Sequence, residues 1–306
     1  MNDLPTNFPF IAQRLFNRPL LLRRDRAEMI VAALAQRLGI ARLDVVMPEG
    51  VRRMDRAAMA ETVTVGLQAP RADDYRGYDL VKGAAIIAVE GTLIHKNGTL
   101  RPYSGMTGYD GIRANLATAL DDGACRAIAM VFDTGGGDAS GLFDLCDAIA
   151  EARQSAGGAK PIWAILSEDA CSAGYALAAS CDRIIMPRTG NAGSIGVWTM
   201  HVDFSQALQA DGIVVTLISD GAHKVDGNPY EPLPESVQAD IQADIKAMRD
   251  LFIASLARYR GQPEKLFRDT EARVYRGPEA LKLGLVDAVM APDDALAELI
   301  AEIGAA

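Results

Sequence analysis

The chain has 306 residues, of which 49% are hydrophobic and 23% are charged, and its formal net charge is −9. This hydrophobic content is enough for a large buried core, and it excludes a chain that is disordered as a whole. The acidic balance argues against a nucleic acid partner, because phosphate binding needs a concentrated basic face.

The cysteine pattern and the lack of long apolar runs indicate the cellular compartment and whether a metal or cofactor is expected. The cysteines are Cys125, Cys146, Cys171 and Cys181, with no Cys-x-x-Cys spacing. Their apolar surroundings predict buried thiols in a reducing compartment. No apolar stretch suits a signal peptide or a membrane span, so we expect a cytoplasmic protein with no membrane partner. Neither Cys nor His residues show metal-ligand spacing, and we predict no metal and no cofactor.

The first 79 residues are predicted to lie outside the main domain. Residues 19–40 carry apolar side chains at helical spacing and end at Gly39, which predicts a helical N-terminal appendage. The apolar positions are Met29, Ile30, Ala33, Leu34 and Leu38. Residues 41–79 are mixed, charged and punctuated by Gly and Pro, as is typical of a linker or peripheral segment. We therefore predict a boundary that separates residues 1–79 from residues 80–306.

From residue 80 onwards, short apolar runs alternate with helical patterns. Strands are predicted over 83–91, 126–134, 161–167, 182–187, 196–204 and 213–219. Helices are predicted over 138–153, from about residue 173, briefly after residue 204, and over 235–260. In the last of these, one apolar stripe precedes Gly261 and consists of Val237, Ile241, Ile245, Met248 and Phe252. We interpret that stripe as core or oligomer packing. Strands that alternate with helices indicate βαβ units and an α/β core.

A glycine-rich segment, DTGGGDASG at residues 133–141, follows one predicted strand and opens the next helix. Its consecutive glycines can turn backbone N–H groups towards a phosphate or towards an oxyanion. The segment lacks the G-x-G-x-x-G spacing and has no P-loop lysine, so the pattern alone does not choose between these roles.

Ser172 lies between a predicted strand and a predicted helix rich in small residues. That placement can expose its hydroxyl at a helix N-terminus, where the helix dipole and free N–H groups favour developing negative charge. The same position also suits an ordinary N-cap serine. The residue types leave both roles open, since a serine nucleophile also needs a base.

The first candidate bases are the histidines His95, His201 and His223. His95 follows a predicted strand in a polar loop, and His201 alternates within an apolar predicted strand, as structural histidines commonly do. His223 could act as the base for Ser172, with Asp226 orienting its ring.

Lys224 is the competing base, in the segment GAHKVDGNPYEPLP at residues 221–234. The glycine, asparagine and proline residues of this segment predict a loop held by turns. A lysine acts as a base only when neutral, so its pKa must fall from about 10.4 to roughly 7. A desolvated pocket can lower the pKa in this way, whereas an ordinary surface lysine stays charged.

Taken together, these segments resemble peptidase family S49, and within it the phage lambda type of capsid assembly protease. The resemblance is carried by PYSGMTGYDGI (102–112), DTGGGDASG (133–141), DACSAGYALAAS (169–180), TGNAGSIGV (189–197) and GAHKVDGNPYEPLP (221–234). It extends from about residue 24 to residue 292. It implies a ClpP/crotonase-like α/β spiral fold, a serine peptidase domain over residues 80–306, oligomeric assembly and cleavage of peptide bonds by a Ser-Lys dyad.

Carried onto this chain, the resemblance implies that Ser172 is the nucleophile and Lys224 the general base. It further implies that Gly136 and Ala173 supply the oxyanion N–H groups, with Gly137 in the same substrate-binding loop.

Three points qualify the roles that the resemblance implies for these residues. The family usually has Pro before its paired glycines, whereas this chain has Gly135, whose freer φ loosens the loop. His223 becomes a neighbour of the base rather than the base. Lambda-type proteases commonly continue into a scaffold segment, so the sequence represents either a protease without a fused scaffold or a truncated or processed form.

The resemblance also implies partners and alternatives. The substrates would be phage scaffold, capsid or portal proteins, cleaved in the host cytoplasm or inside the immature head. A peptide-degrading relative of signal peptide peptidase A is the alternative within the proteases. An acyl-CoA-binding crotonase-like enzyme would leave Ser172 and Lys224 without roles, and an inactive shell protein would be favoured only if one of them were replaced.

Overall fold

The computed structural model describes residues 19–23, 26, 30, 42–47, 50–55 and 77–305. The strands are β1 (Leu20–Leu22), β2 (Arg42–Met47), β3 (Gly50–Asp55), β4 (Asp79–Val81), β5 (Ala84–Ile94), β6 (Met106–Gly108), β7 (Ala127–Asp138), β8 (Ile162–Cys171), β9 (Arg183–Met186), β10 (Asn191–Gly193), β11 (Val274–Arg276) and β12 (Ala288–Val289). The helices are α1 (Tyr109–Asp121), α2 (Leu142–Ala152), α3 (Ala173–Ala179), α4 (Ser205–Ala210), α5 (Glu235–Arg260), α6 (Glu264–Arg268), α7 (Gly277–Lys282) and α8 (Pro292–Ala305).

One large, mostly parallel sheet forms the centre of the structure. Strands β10, β8, β7 and β5 lie side by side and run parallel, and antiparallel β11 and β4 flank them at the two edges. β9 pairs with the first half of β8, and β10 pairs with its last residues. Helices α1, α2 and α3 each connect two strands of this sheet. The predicted α/β class is therefore confirmed.

Helices cover both faces of the sheet, which explains why its strands read as continuous apolar runs. On one face, Leu116 of α1 and Leu145 of α2 are buried in the same apolar cluster as Met130 of β7. On the other face, Trp163 of β8 packs with Leu299 of α8. The predicted strands over 83–91, 126–134, 161–167 and 182–187 correspond to β5, β7, β8 and β9, and the predicted helix over 138–153 corresponds to α2.

Helix α5 confirms the predicted long helix. It ends at Gly261, whose φ of 61° gives the left-handed conformation common at helix C-termini. The apolar stripe divides into two parts, since Phe252 is fully buried in the core whereas Ile241, Ile245 and Met248 are only half-buried. The N-terminal half of α5 therefore has apolar surface that the described part of the chain does not fully cover.

Two strand predictions are wrong. Residues 196–204 contain a single isolated bridge, between Trp198 and Leu20, and residues 213–219 form no strand. Val214 and Ile218 are 90% and 93% exposed. The sequence of this segment has strand-like residues, but no described neighbour supplies the hydrogen-bond ladder that a strand needs.

The N-terminal helix prediction is also wrong in part. Residues 20–22 form β1, which pairs antiparallel with Gly136–Asp138 of β7. Its three leucines are buried, so long-range pairing outweighs the local helical pattern. Arg26 and Ile30 are helical. The remaining predicted helix positions, Met29, Ala33, Leu34, Leu38 and Gly39, lie outside the described residues.

The predicted linker contains regular structure. Strands β2 and β3 form an antiparallel hairpin within it, pairing Arg42 with Asp55 and Met47 with Gly50. The boundary between residues 79 and 80 remains a prediction, and β1 shows that residues before it contribute to the large sheet.

The cysteines confirm the expected buried thiols, since all four are buried and none forms a disulfide. Burial raises the pKa of the Cys146 thiol and of the Cys181 thiol, so both stay protonated near neutral pH. Within the residues that the structure describes, no helix combines the length and apolar character needed to span a bilayer.

Candidate active site

Ser172 lies at a sharp turn between the end of β8 and the start of α3. Its φ of 56° and ψ of −117° match the first central position of a type II′ turn, which non-glycine residues rarely adopt. The Ser172 N–H donates to the Gly193 carbonyl at 2.8 Å, which ties this turn to β10. A strained serine between a strand and a helix is the backbone arrangement of a nucleophile elbow.

The Ser172 hydroxyl does not cap α3, although the residue occupies the N-cap position. Ser172 is 1% exposed, and its Oγ has no hydrogen-bond partner among the described residues. A buried hydroxyl without a partner costs about 1–3 kcal/mol. Because strain and an unpaired hydroxyl occur together here, the nucleophile interpretation is favoured over the N-cap interpretation.

Gly136 lies directly against Ser172. β7 does not end before the glycines, as the sequence predicted, but continues through them to Asp138. The φ of Gly136 is 102°. A methyl group on Gly136 would overlap the Leu21 carbonyl oxygen and would lie 2.9 Å from Ser172 Cβ. This position suits a residue that contacts an oxyanion formed at Ser172.

The backbone N–H of Gly136 is already engaged. It donates to Thr134 Oγ1 at 3.1 Å, and the Thr134 hydroxyl donates to the Gly91 carbonyl at 2.5 Å. An oxyanion at Ser172 would therefore compete with Thr134 for this donor. The sequence analysis did not single out Thr134, because a threonine at a strand end carries no distinctive signal.

The other two predicted residues of the oxyanion loop have different surroundings. Ala173 is buried and is the first residue of α3, so its N–H has no acceptor within the helix. Gly137 lies between two strands, pairing with Leu21 on one side and with Leu93 on the other. A methyl group on Gly137 would overlap the Leu93 backbone, so this glycine is required for close strand packing.

The N-terminal segment occupies the space beside Gly135. A methyl group on Gly135 would lie 2.7 Å from Arg26 Cγ. The Gly135 carbonyl accepts a hydrogen bond from the Arg23 N–H at 2.6 Å. The missing side chain at this position therefore makes room for residues that follow β1.

Lys224 lies on a loop of successive turns, as predicted, and its N–H donates to the Gly221 carbonyl at 3.2 Å. In the single chain it is exposed rather than desolvated. No hydrogen bond joins Lys224 to Ser172, because Ser172 Oγ has no partner among the described residues. The resemblance implied a buried, neutral Lys224, whereas no described residue covers this loop in the single chain.

The structure brings His223 and Asp226 together but keeps the pair in solvent. His223 Nδ1 lies 2.8 Å from Asp226 Oδ2, and the hydrogen bond to Asp226 raises the pKa of the His223 imidazole. The His223 side chain is 83% exposed. Neither residue is hydrogen-bonded to Ser172 Oγ.

The other two histidines have local roles. The His95 N–H donates to Asp138 Oδ2 at 3.0 Å, which ties the loop after β5 to the end of β7. Burial lowers the pKa of the His201 imidazole, in keeping with a structural histidine. Neither is hydrogen-bonded to the Ser172 hydroxyl.

A buried acidic group beside the glycine loop was missed by the sequence analysis. Asp169 is 6% exposed. Its Oδ2 accepts a hydrogen bond from Arg23 Nη1 at 2.7 Å, and its Oδ1 accepts one from Asn191 Nδ2 at 2.7 Å. Arg23 and Asp169 are 146 residues apart in the chain, so no local pattern could reveal their pairing.

Comparison with known proteins gives a consistent set of relatives. Residues 154–305 match the sequence profile of Peptidase family S49, a range that contains Ser172 and Lys224. The chain is 38% identical over 291 residues to Capsid assembly protease C of Escherichia phage lambda, covering 95% of this chain and 65% of that protein. It is 40% identical over 293 residues to Head-tail preconnector protein GP5 of Enterobacteria phage P21, covering 95% of this chain and 56% of that protein. It is 27% identical over 226 residues to Protease 4 of Haemophilus influenzae, covering 71% of this chain and 34% of that protein. The chain thus spans less than two thirds of the length of these relatives.

Proposed function

Because the chain belongs to peptidase family S49, we propose that it is a serine endopeptidase whose nucleophile is Ser172. The observation that carries the proposal is the turn at Ser172, where a buried, strained serine lies directly against Gly136. The mostly parallel α/β sheet agrees with the ClpP/crotonase-like fold of the family. Residues 80–306 would form the peptidase domain, to which the preceding residues contribute β1.

In the proposed reaction, Ser172 Oγ attacks the carbonyl carbon of a peptide bond while the neutral amine of Lys224 accepts the hydroxyl proton. The N–H groups of Gly136 and Ala173 stabilise the resulting oxyanion. The C–N bond then breaks, and the Lys224 ammonium returns the proton to the leaving amine. Water releases the acyl group by the same steps, with Lys224 accepting a proton from water and returning it to Ser172 Oγ.

Gly136→Ala is expected to lower kcat/KM for peptide cleavage by at least about 100-fold, because the methyl group would displace the Gly136 N–H from the oxyanion and so cost the effect of one donor. The added methyl group would press on Ser172 and would be strained at a φ of 102°. Gly157→Ala is the matched control, because Gly157 has a φ of 95° and no atom lies within 4 Å of the added methyl group. Equal cleavage rates in the two variants would contradict the assignment of Gly136 as an oxyanion donor.

We also propose that the enzyme is a homo-oligomer. Lys224 must be desolvated to act as a base, yet it is exposed in the single chain. The segment that precedes it, residues 213–219, has a strand-like sequence with exposed Val214 and Ile218. An exposed apolar segment with strand-forming residues is suited to pairing with a second copy of the chain. Such a contact would cover the segment and exclude water from the neighbouring loop.

Ile218→Asp is expected to shift the protein to smaller species in sedimentation velocity, because it places a charge in the proposed contact. Leu281→Asp is the control, since Leu281 is 42% exposed and lies on α7, outside this segment. An unchanged sedimentation coefficient for Ile218→Asp, or the same shift in both variants, would contradict the proposed contact.

We propose phage scaffold, capsid or portal proteins as substrates, processed in the host cytoplasm or inside the immature head. In support, two relatives that align with 95% of this chain are named as a capsid assembly protease and a head-tail preconnector protein.

The test is incubation of the enzyme with purified phage scaffold, capsid and portal proteins, followed by gel electrophoresis and mass spectrometry. Discrete fragments from at least one of them are expected. Degradation of short peptides alone would favour a peptide-degrading relative of signal peptide peptidase. A complete lack of cleavage would contradict the endopeptidase assignment.

A further inference from the structure

Strand β1 fills a gap beside Ser172. β7 and β8 pair as far as Thr134 and Ala170, and β7 then continues alone on that side to Asp138. β1 takes the open edge, pairing antiparallel with Gly136–Asp138. The gap lies at the carboxyl ends of parallel strands, which is where α/β sheets bind their ligands.

Backbone hydrogen bonds hold β1 on both sides. On one side, the Arg23 N–H donates to the Gly135 carbonyl at 2.6 Å. On the other side, the Leu20 N–H donates to the Trp198 carbonyl at 2.8 Å, and Trp198 Nε1 donates to the Leu22 carbonyl at 3.0 Å. Leu20–Arg23 is thus held as an extended peptide between two segments of the chain, in the manner of a peptide added to a sheet edge.

The same segment closes the site around the nucleophile. The Leu21 carbonyl oxygen and Ser172 Cβ both lie against Gly136, since a methyl group there would touch both. Leu21 is 0% exposed and Ser172 is 1% exposed. A substrate peptide bond must reach Ser172 Oγ, and in this state the described residues bury that atom.

The positive charge of Arg23, at the end of the segment Leu20–Arg23, lies beside the buried carboxylate of Asp169. Arg23 Nη1 donates to Asp169 Oδ2 at 2.7 Å, and the two side chains are 22% and 8% exposed. Removing Arg23 would take away a positive charge that offsets the nearly buried Asp169 carboxylate, which is unfavourable. Any peptide that replaces β1 is therefore favoured if it brings a cation to the same place.

We propose that Leu20–Arg23 is an internal occupant of the peptide-binding cleft and that substrate must displace it. The proposal rests on the proposed peptidase function. The displacing substrate is an extended peptide with consecutive aliphatic residues followed by a basic residue. Asp169 is the specificity-determining residue for that basic side chain.

The first test uses Ser172→Ala protein, so that peptide binding is measured without cleavage. The probe is a fluorescein-labelled peptide with the sequence of residues 17–26, NRPLLLRRDR, and the readout is fluorescence anisotropy. Adding Arg23→Glu is expected to tighten binding of this probe about fivefold or more, because the cleft is then vacant more often. The probe with Glu in place of Arg23 is expected to bind about fivefold more weakly than the original, through repulsion by Asp169.

Arg183→Glu in the same background is the matched control for charge reversal. Arg183 also forms a surface ion pair, with Glu298, but it lies at the start of β9, away from the carboxyl end of the sheet. We expect no change in probe affinity. Equal affinities in all three proteins would mean that β1 is a permanent strand, and would overturn the proposal.

A second measurement needs no variant of the segment. Hydrogen exchange of the Leu21–Arg23 amides in Ser172→Ala protein should become faster when unlabelled peptide saturates the cleft. Unchanged exchange at saturation would overturn the displacement. Cleavage assays with Ser172 intact report the peptidase function separately, so a protein that binds the probe but cleaves nothing would contradict that function and leave the cleft occupant supported.

Discussion

Ser172→Ala is expected to lower peptide cleavage by at least about four orders of magnitude, because it removes the hydroxyl that forms the acyl intermediate in the proposed reaction. The same substitution is expected to leave the free energy of unfolding unchanged or to raise it by up to about 1–3 kcal/mol. The reason is that it removes a buried hydroxyl with no hydrogen-bond partner among the described residues. Cleavage rates and denaturant unfolding of the two purified proteins would check both expectations.

Ser180→Ala gives the opposite pair of effects and serves as the control. Ser180 is also buried and lies at the other end of α3, where its Oγ donates to the Leu177 carbonyl at 2.7 Å. Loss of this bond should destabilise the protein by about 1 kcal/mol and leave cleavage intact. Cleavage that survives Ser172→Ala, or a loss of stability there as large as in Ser180→Ala, would contradict the assignment of Ser172 as a strained nucleophile.

Local periodicity was sufficient to predict the centre of the fold. β5, β7 and β8 are buried on both faces and so carry continuous apolar runs that a sequence displays directly. Ser172 was predictable for a related reason, because its position between a strand and a small-residue helix is a local feature of about ten residues. Its strain and its unpaired hydroxyl were not predictable, since both depend on β10 and on the glycine loop.

The features that sequence reasoning missed are the pairing of distant residues and the exposure of residues 213–219 and of Lys224. Residues 20–22 lie inside the range 19–40 that was predicted to be helical, yet they pair with Gly136–Asp138 more than 100 positions away. Residues 213–219 have the composition of a strand, but none of the described strands pairs with them. Lys224 is exposed on the loop that follows this segment, and in the proposed oligomer a second chain would cover both.

Lys224→Ala and Lys224→Arg are both expected to lower kcat by about 100- to 10,000-fold, the range for loss of a general base. The arginine variant keeps the positive charge and the length of the side chain, but a guanidinium cannot be deprotonated. Equal losses in the two variants would therefore show that the neutral amine, rather than the charge, is required. Because Lys224 is exposed in the single chain, the oligomeric state of each variant would be checked by sedimentation velocity alongside its cleavage rate.

His223→Ala tests the competing base on the same loop. The hydrogen bond to Asp226 raises the pKa of His223, so the pair favours the folded loop at low pH. This contribution is lost as the pH rises through the raised pKa. A lysine base predicts the reverse trend for catalysis, since cleavage should increase with pH as the neutral amine becomes available. We expect His223→Ala to keep substantial cleavage and the same rising pH profile as the wild type, whereas loss of cleavage in His223→Ala together with activity in Lys224→Arg would make His223 the base.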